Sequence, residues 1–148
     1  MVSKQLTVGG LVKSSITLRA DALTGVPFQP IPDIPLRGRT GELLRTLQGY
    51  SGIKLITVLD QAGLIAAEHN DLKKTVIVAT ATDGYKAVFS WNELYNTAIG
   101  DGVFVLAAKT GQPLADEEGR FALISAQDIK TGARHVRWLT DIQVLKIA

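Results

Sequence analysis

TVIVATATDGYKAVFSWNELY, residues Thr75 to Tyr95, decides the fold class. Thr75 to Ala81 is a near-continuous apolar run rich in Val and Ile, the pattern of a buried strand. Asp83-Gly84 supplies a tight turn, and Tyr85 to Phe89 alternates into a second strand that pairs back on the first. Ser90 then fits a helix N-cap with Glu93 three residues on, the spacing of a capping box, so a helix is expected to about Thr97. Strand, turn, strand and helix in 21 residues predict a mixed α/β chain.

Working outward, Leu6 to Val12 and Ile16 to Leu18 have strand character, and Ala20 to Leu23 is a short helical candidate. Four prolines between Gly25 and Pro35 predict an extended surface loop. Glu42 to Tyr50 reads as a strand. Leu55, Ile56, Val58, Leu59 and Ala62 fall at helical spacing with Gly63 as the C-terminal cap. Val103 to Ala108 and Phe121 to Ser125 are apolar strands joined through Gly111-Gln112-Pro113 and the acidic run Asp116-Glu117-Glu118, which is expected to be a solvated tip. Ile142 to Ile147 is the last strand.

At 148 residues the chain is long enough for one core and too short for two ordinary domains, so residues 1–148 are read as one domain. Its 46% hydrophobic and 20% charged residues exclude a disordered chain, and a net charge of +2 gives no argument for nucleic acid or an anionic membrane. No stretch approaches the roughly 20 apolar residues of a membrane span. The chain contains no cysteine, which removes thiolate nucleophiles, disulfides and sulfur-based metal sites together. His69 and His135 stand far apart without carboxylates at ligand spacing, and no P-loop, Gly-x-Ser-x-Gly or Gly-x-Gly-x-x-Gly occurs. A binding role is therefore expected ahead of catalysis.

Five segments, LTVGGLV (Leu6 to Val12), YSGIKLITVLDQAGL (Tyr50 to Leu64), TDGYKAVFSWNEL (Thr82 to Leu94), GDGVFVLAAKTGQPLADEEG (Gly100 to Gly119) and GARHVRWLTDIQV (Gly132 to Val144), stand in a fixed order. In that order they resemble the oxidoreductase molybdopterin-binding domain, the sulfite oxidase fold, over nearly the whole chain. The resemblance implies a strand-rich α+β fold with a few short helices.

It also implies what is missing. Catalytic members hold molybdenum through a cysteine in the segment that aligns roughly with Pro35 to Leu47, and none is present. Where they carry a His-Gly-x-Pro-x-Arg sequence, this chain reads Glu118-Gly119-Arg120-Phe121. The resemblance is to cysteine-free, exported pterin-binding proteins, some of which report to a membrane-bound signalling enzyme. It implies a pterin or molybdopterin-like ligand without molybdenum, and a periplasmic location whose leader is absent here, with the cytoplasm as the alternative.

A pterin wants a stacked ring and a partner for its amino edge. Tyr85 and Trp91 are expected to face one cleft, with Asp83 or Asp101 accepting from the amino group. Arg134 and Arg137 lie in the segment resembling the family's contact to the cofactor tail, and Arg37 and Arg39 where the cysteine is missing. Trp138 reads as core packing. Two alternatives stand beside this one: an oxidoreductase with an atypical, non-cysteine metal site, and an adaptor domain whose pocket has filled with side chains.

Overall fold

A computed structural model describes residues 3–148. Twelve strands, β1 (Gln5–Gly10), β2 (Ile16–Arg19), β3 (Gln29–Pro30), β4 (Ile34–Arg37), β5 (Leu43–Leu47), β6 (Tyr50–Lys54), β7 (Thr75–Ala81), β8 (Lys86–Ser90), β9 (Val103–Lys109), β10 (Gln112–Pro113), β11 (Ala122–Ser125) and β12 (Leu139–Lys146), are joined by two short helices, α1 (Leu55–Ala62) and α2 (Trp91–Tyr95). The first sheet has the order β2-β1-β12-β7-β8. Its centre joins the two ends of the chain, with β1 parallel to β12 through pairs such as Val8 and Ile142. The second sheet runs β10-β9-β6-β3, with β11 also on β9, and β4 pairs with β5 as a separate hairpin.

Period-two alternation makes the second sheet the middle layer. Val103, Val105, Ala107 and Leu123 face a core shared with Leu6, Ile77, Phe89 and Ile142 of the first sheet and with Leu55, Val58 and Leu59 of α1. Leu106, Ala122 and Ile124 face the other way, onto a smaller core with Ile34, Leu36 and Leu47 that seats the β4–β5 hairpin. Burial on both faces explains why Phe121 to Ile124 is apolar without a break. In β7 only alternate residues, Thr75, Ile77, Ala79 and Ala81, are fully buried.

Local signals hold where they are strong. Ser90 caps α2, its Oγ accepting from the Glu93 amide at 3.0 Å while the Glu93 carboxylate accepts from the Ser90 amide at 3.2 Å. Ser90→Ala is expected to lower the unfolding free energy by about 1 kcal/mol in urea titrations, the usual cost of losing such a cap. The four inward residues of α1 are the buried ones, and the Gly63 amide closes the helix on the Leu59 carbonyl.

Elsewhere the chain departs from the pattern. Ala20 to Leu23 forms no helix: Ala20 and Asp21 make a turn, with the Ala20 amide donating to the Lys4 carbonyl and the Ala22 amide to the Arg19 carbonyl. The proline-rich loop contributes Gln29–Pro30 to the sheet at its edge, where the missing proline N–H costs no ladder bond. Glu42 to Tyr50 splits at Gly49 into β5 and β6.

Candidate functional site

Two walls form a cleft of about 380 Å³ lined by Leu36, Leu44, Arg45, Asp83, Tyr85, Gly132, His135, Arg137 and Trp138. One wall is the β4–β5 hairpin. The other is the segment from Thr131 to Trp138, beside the β7–β8 turn. A volume of this size suits a small flat molecule.

Buried Thr131 ties the walls together. Its Oγ1 accepts from the Arg37 amide at 2.7 Å and donates to the Pro35 carbonyl at 2.7 Å. The next residue must be glycine, since a Cβ on Gly132 would lie 2.8 Å from the Arg37 carbonyl oxygen. The β7–β8 turn is set by the Asp83 carboxylate accepting from the Tyr85 amide at 3.0 Å, and the Tyr85 hydroxyl donates to the Ala133 carbonyl at 2.5 Å.

Beyond the turn, alternation sorts the side chains. Val136 is buried, its amide and carbonyl bridging to Leu123, so His135 and Arg137 both emerge toward the cleft. Trp138 follows with a φ of 54°, a conformation that costs a bulky residue of order 1–3 kcal/mol. Two bonds hold it there: its amide donates to the Glu118 carbonyl at 2.7 Å and its indole Nε1–H to the Asp116 carbonyl at 2.8 Å. The Arg137 guanidinium lies 5.3 Å from the centre of its ring.

His135 sits between charges. Among the described residues, its Nε2 is the buried side-chain nitrogen or oxygen without a hydrogen-bond partner. Burial first, then the guanidiniums of Arg45 and Arg137, push its pKa down to about 4, so the imidazole is neutral near pH 7. Arg45 reaches the Glu118 carboxylate at 3.7 Å, a loose pair, and also acts on the Tyr50 hydroxyl. Glu118 is buried, contrary to the solvated tip expected of the acidic run; it accepts a short hydrogen bond from the Tyr50 hydroxyl. Burial, and next that carboxylate, push Tyr50 up to about 12. A second cleft of about 540 Å³, with Tyr50, Lys109, Glu117 and Glu118 in its wall, shares Arg45 and Arg137 with the first. The two arginines stand at its waist.

Of the residues singled out from sequence, Asp83, Tyr85 and Arg137 meet at this cleft. The expectation that Tyr85 and Trp91 share a cleft is corrected: they flank opposite ends of the five-residue β8, roughly 20 Å apart along an extended chain. Trp91 stacks on Tyr95 with ring centres 5.7 Å apart, and the Tyr95 hydroxyl donates to Asp60 at 2.9 Å. Arg134 is engaged in two bonds to Asp128 at 2.8 and 2.7 Å, an ion pair with Glu93 at 3.0 Å and packing over Phe89 at 4.3 Å. Asp101 is exposed and pairs with Lys54 at 3.6 Å. Arg37 turns its guanidinium to the Gly41 carbonyl at 3.0 Å, and Arg39 is exposed in the hairpin connection.

Sequence reading passed over Arg45, set His135 aside as a metal ligand and took Trp138 for core packing; Trp138 is half-buried, packing against the main core and also lining the cleft. The alternation of His135 and Arg137 around an apolar Val136 was the available signal for His135. Arg45 carried none, because only the hairpin's docking brings it across.

The resemblance carried by the ordered motifs implies molybdenum held by a thiolate. The residues at the cleft do not fit that ion: the chain has no cysteine, the hairpin presents Leu36, Leu44 and Arg45, and two cations flank the imidazole. Among the described residues, no three His, Cys, Asp or Glu side chains gather as a metal site.

No family model matches the chain, and no curated protein matches it. Among solved structures it is similar to the sulfane dehydrogenase SoxCD from Paracoccus pantotrophus, with a TM-score of 0.72 and 18% identity, covering 100% of this chain and 40% of that one. The fold is the strand-rich, sulfite-oxidase-type α+β fold that the ordered motifs imply. The chain thus spans less than half the length of that SoxCD chain. Among the described residues, no helix is long and apolar enough to cross a membrane.

Proposed function

We propose that this domain binds an anionic pterin-type molecule without turning it over, and that the cleft between the β4–β5 hairpin and the Thr131–Trp138 segment is its site. The observation that carries the reading is the convergence of two guanidiniums, Arg45 and Arg137, on a cleft walled by the Tyr85 and Trp138 rings. The arginines suit a phosphate or carboxylate tail, and the rings suit a flat heteroaromatic body. Asp83 is the acceptor at hand for an exocyclic amine. Trp138, not Trp91, takes the stacking role.

In this reading the ligand arrives without molybdenum, because its donor set would be wrong. The domain acts as a sensor or carrier, with an exported location and a membrane-bound signalling enzyme as the proposed partner. A second reading, a molybdopterin-dependent oxidoreductase with a non-cysteine metal site, is favoured by one observation: the structurally similar protein is a dehydrogenase.

Fluorescence titration with a pterin carrying a phosphate monoester tests the first reading. Saturable binding of one equivalent is expected, quenched by indole stacking. No binding would overturn it, and metal-dependent turnover of a reduced sulfur compound by the loaded protein would favour the second. Trp91→Ala, remote from the cleft, is expected to leave the affinity within about twofold of the parent, and a tenfold loss would place the ligand elsewhere.

A further inference from the structure

His135 has a consequence for the kind of anion the cleft accepts. Its Nε2 is buried, unpartnered and set in the same cleft as two guanidiniums. Burial and two guanidiniums set its charge state, and each element packed around it places its own groups at the cleft. β5 brings Arg45, the segment after it brings Arg137, and the β7–β8 turn brings Asp83 and Tyr85. Leu36 of β4 and Gly132 add no charge. Arg37 and Arg134 spend their guanidiniums on Gly41 and on Asp128 and Glu93. Glu118 reaches the site only through Arg45.

Among the cleft's own residues the cations outnumber the carboxylate, and a third positive charge is unfavourable. A bound dianion reverses that balance. It leaves a negative charge beside a lone pair that has no donor, and the proton that satisfies both comes from solvent.

We propose, resting on the reading that this cleft is the ligand site, that it takes a dianionic oxyanion of the phosphate or sulfate class and that His135 takes up a proton as the anion binds. The third cation of the site is thus made by occupancy. Affinity for the dianion rises as the pH falls, and the site discriminates against monoanionic carboxylates, which do not supply enough charge to hold the extra proton. Nothing covalent is involved: one proton moves from solvent to Nε2 on binding and returns on release.

Sulfate is the direct probe, because its charge is constant from about pH 8 to about pH 5, so any proton exchanged belongs to the protein. Isothermal titration in two buffers of different ionisation enthalpy is expected to show uptake approaching one proton per sulfate near pH 5. Affinity is expected to gain up to about tenfold between about pH 8 and about pH 5 as occupancy raises the His135 pKa. Proton NMR follows the imidazole itself, with exposed His69 as the internal reference. His135→Gln is expected to keep weaker sulfate binding through the arginines and to lose the proton uptake, a change that loss of packing alone does not produce.

Sulfate binding with no proton exchange, or no sulfate binding at any pH, would overturn the proposal. The two readings fail separately. A phosphorylated pterin that binds without proton uptake leaves the pterin reading standing and removes this one; sulfate that binds with uptake while the pterin does not bind leaves only the oxyanion site.

Discussion

Thr131→Val is expected to lower the unfolding free energy by about 2–3 kcal/mol, which for a chain of this size moves the melting temperature down by roughly 5–10 °C. Valine matches threonine in volume, so the variant leaves no cavity and isolates the hydroxyl. That hydroxyl is buried and serves two backbone groups of β4, accepting from the Arg37 amide and donating to the Pro35 carbonyl. Removing it strands a carbonyl and an amide at the seam between hairpin and turn, each costing about 1–3 kcal/mol where water cannot reach and less where it can. Thr131→Ser keeps both bonds and is expected to lose under about 1 kcal/mol. Urea titration of the two variants separates hydroxyl from methyl, and equal stability of the valine variant and the parent would show that the hydroxyl does not hold the walls together.

The same seam has a functional side. Leu36, Leu44 and Arg45 lie on the hairpin, whereas His135 and Arg137 lie on the segment that Thr131 begins. Loosening their joint separates the two guanidiniums that define the site. The valine variant is therefore also expected to bind an anion more weakly than its stability loss alone implies.

What was legible in the sequence was whatever a few neighbouring residues decide among themselves. The Ser90 and Glu93 capping box is closed within four residues, and α1 shows its buried stripe because helical periodicity is local. The Asp83-Gly84 turn is local in the same way. Ala20 to Leu23 misled because four residues with a weak preference for helix are too few to meet the cost of nucleating one.

The site was less legible because it is assembled from chain segments far apart. Asp83, Tyr85 and Arg137 were found from motif and turn chemistry, but Arg45 becomes a site residue only when Ile34, Leu36 and Leu47 pack the hairpin onto Leu106 and Ile124. Glu118 shows the same dependence. Its neighbours Asp116 and Glu117 are exposed as an acidic run should be, and the distant Tyr50 hydroxyl and Arg45 guanidinium make burial of the third carboxylate tolerable. With Trp91 the misreading was of a different kind: six residues of extended chain carry two side chains roughly 20 Å apart, more than one pterin ring spans. That distance was available from the spacing itself.

Replacing both waist arginines, Arg45→Gln with Arg137→Gln, is expected to weaken binding of a phosphorylated pterin by at least about a hundredfold. Hydrogen bonds to a charged group are worth about 1.5–3 kcal/mol each, so two lost contacts put the effect in that range or above. The stability cost is expected to be small. Arg45 is half-exposed and its pairing with Glu118 is loose, and Arg137 gives up only an exposed cation–π contact with Trp138, worth about 0.5–1 kcal/mol. Two controls make the measurement decisive. Circular dichroism and melting should match the parent, and a pterin without the phosphate should bind the double variant nearly as well as it binds the parent, because the rings of Tyr85 and Trp138 remain. If the phosphorylated and bare pterins lost affinity equally, the arginines would be acting through the shape of the cleft and not through charge. If neither lost any, the anion would not sit between them.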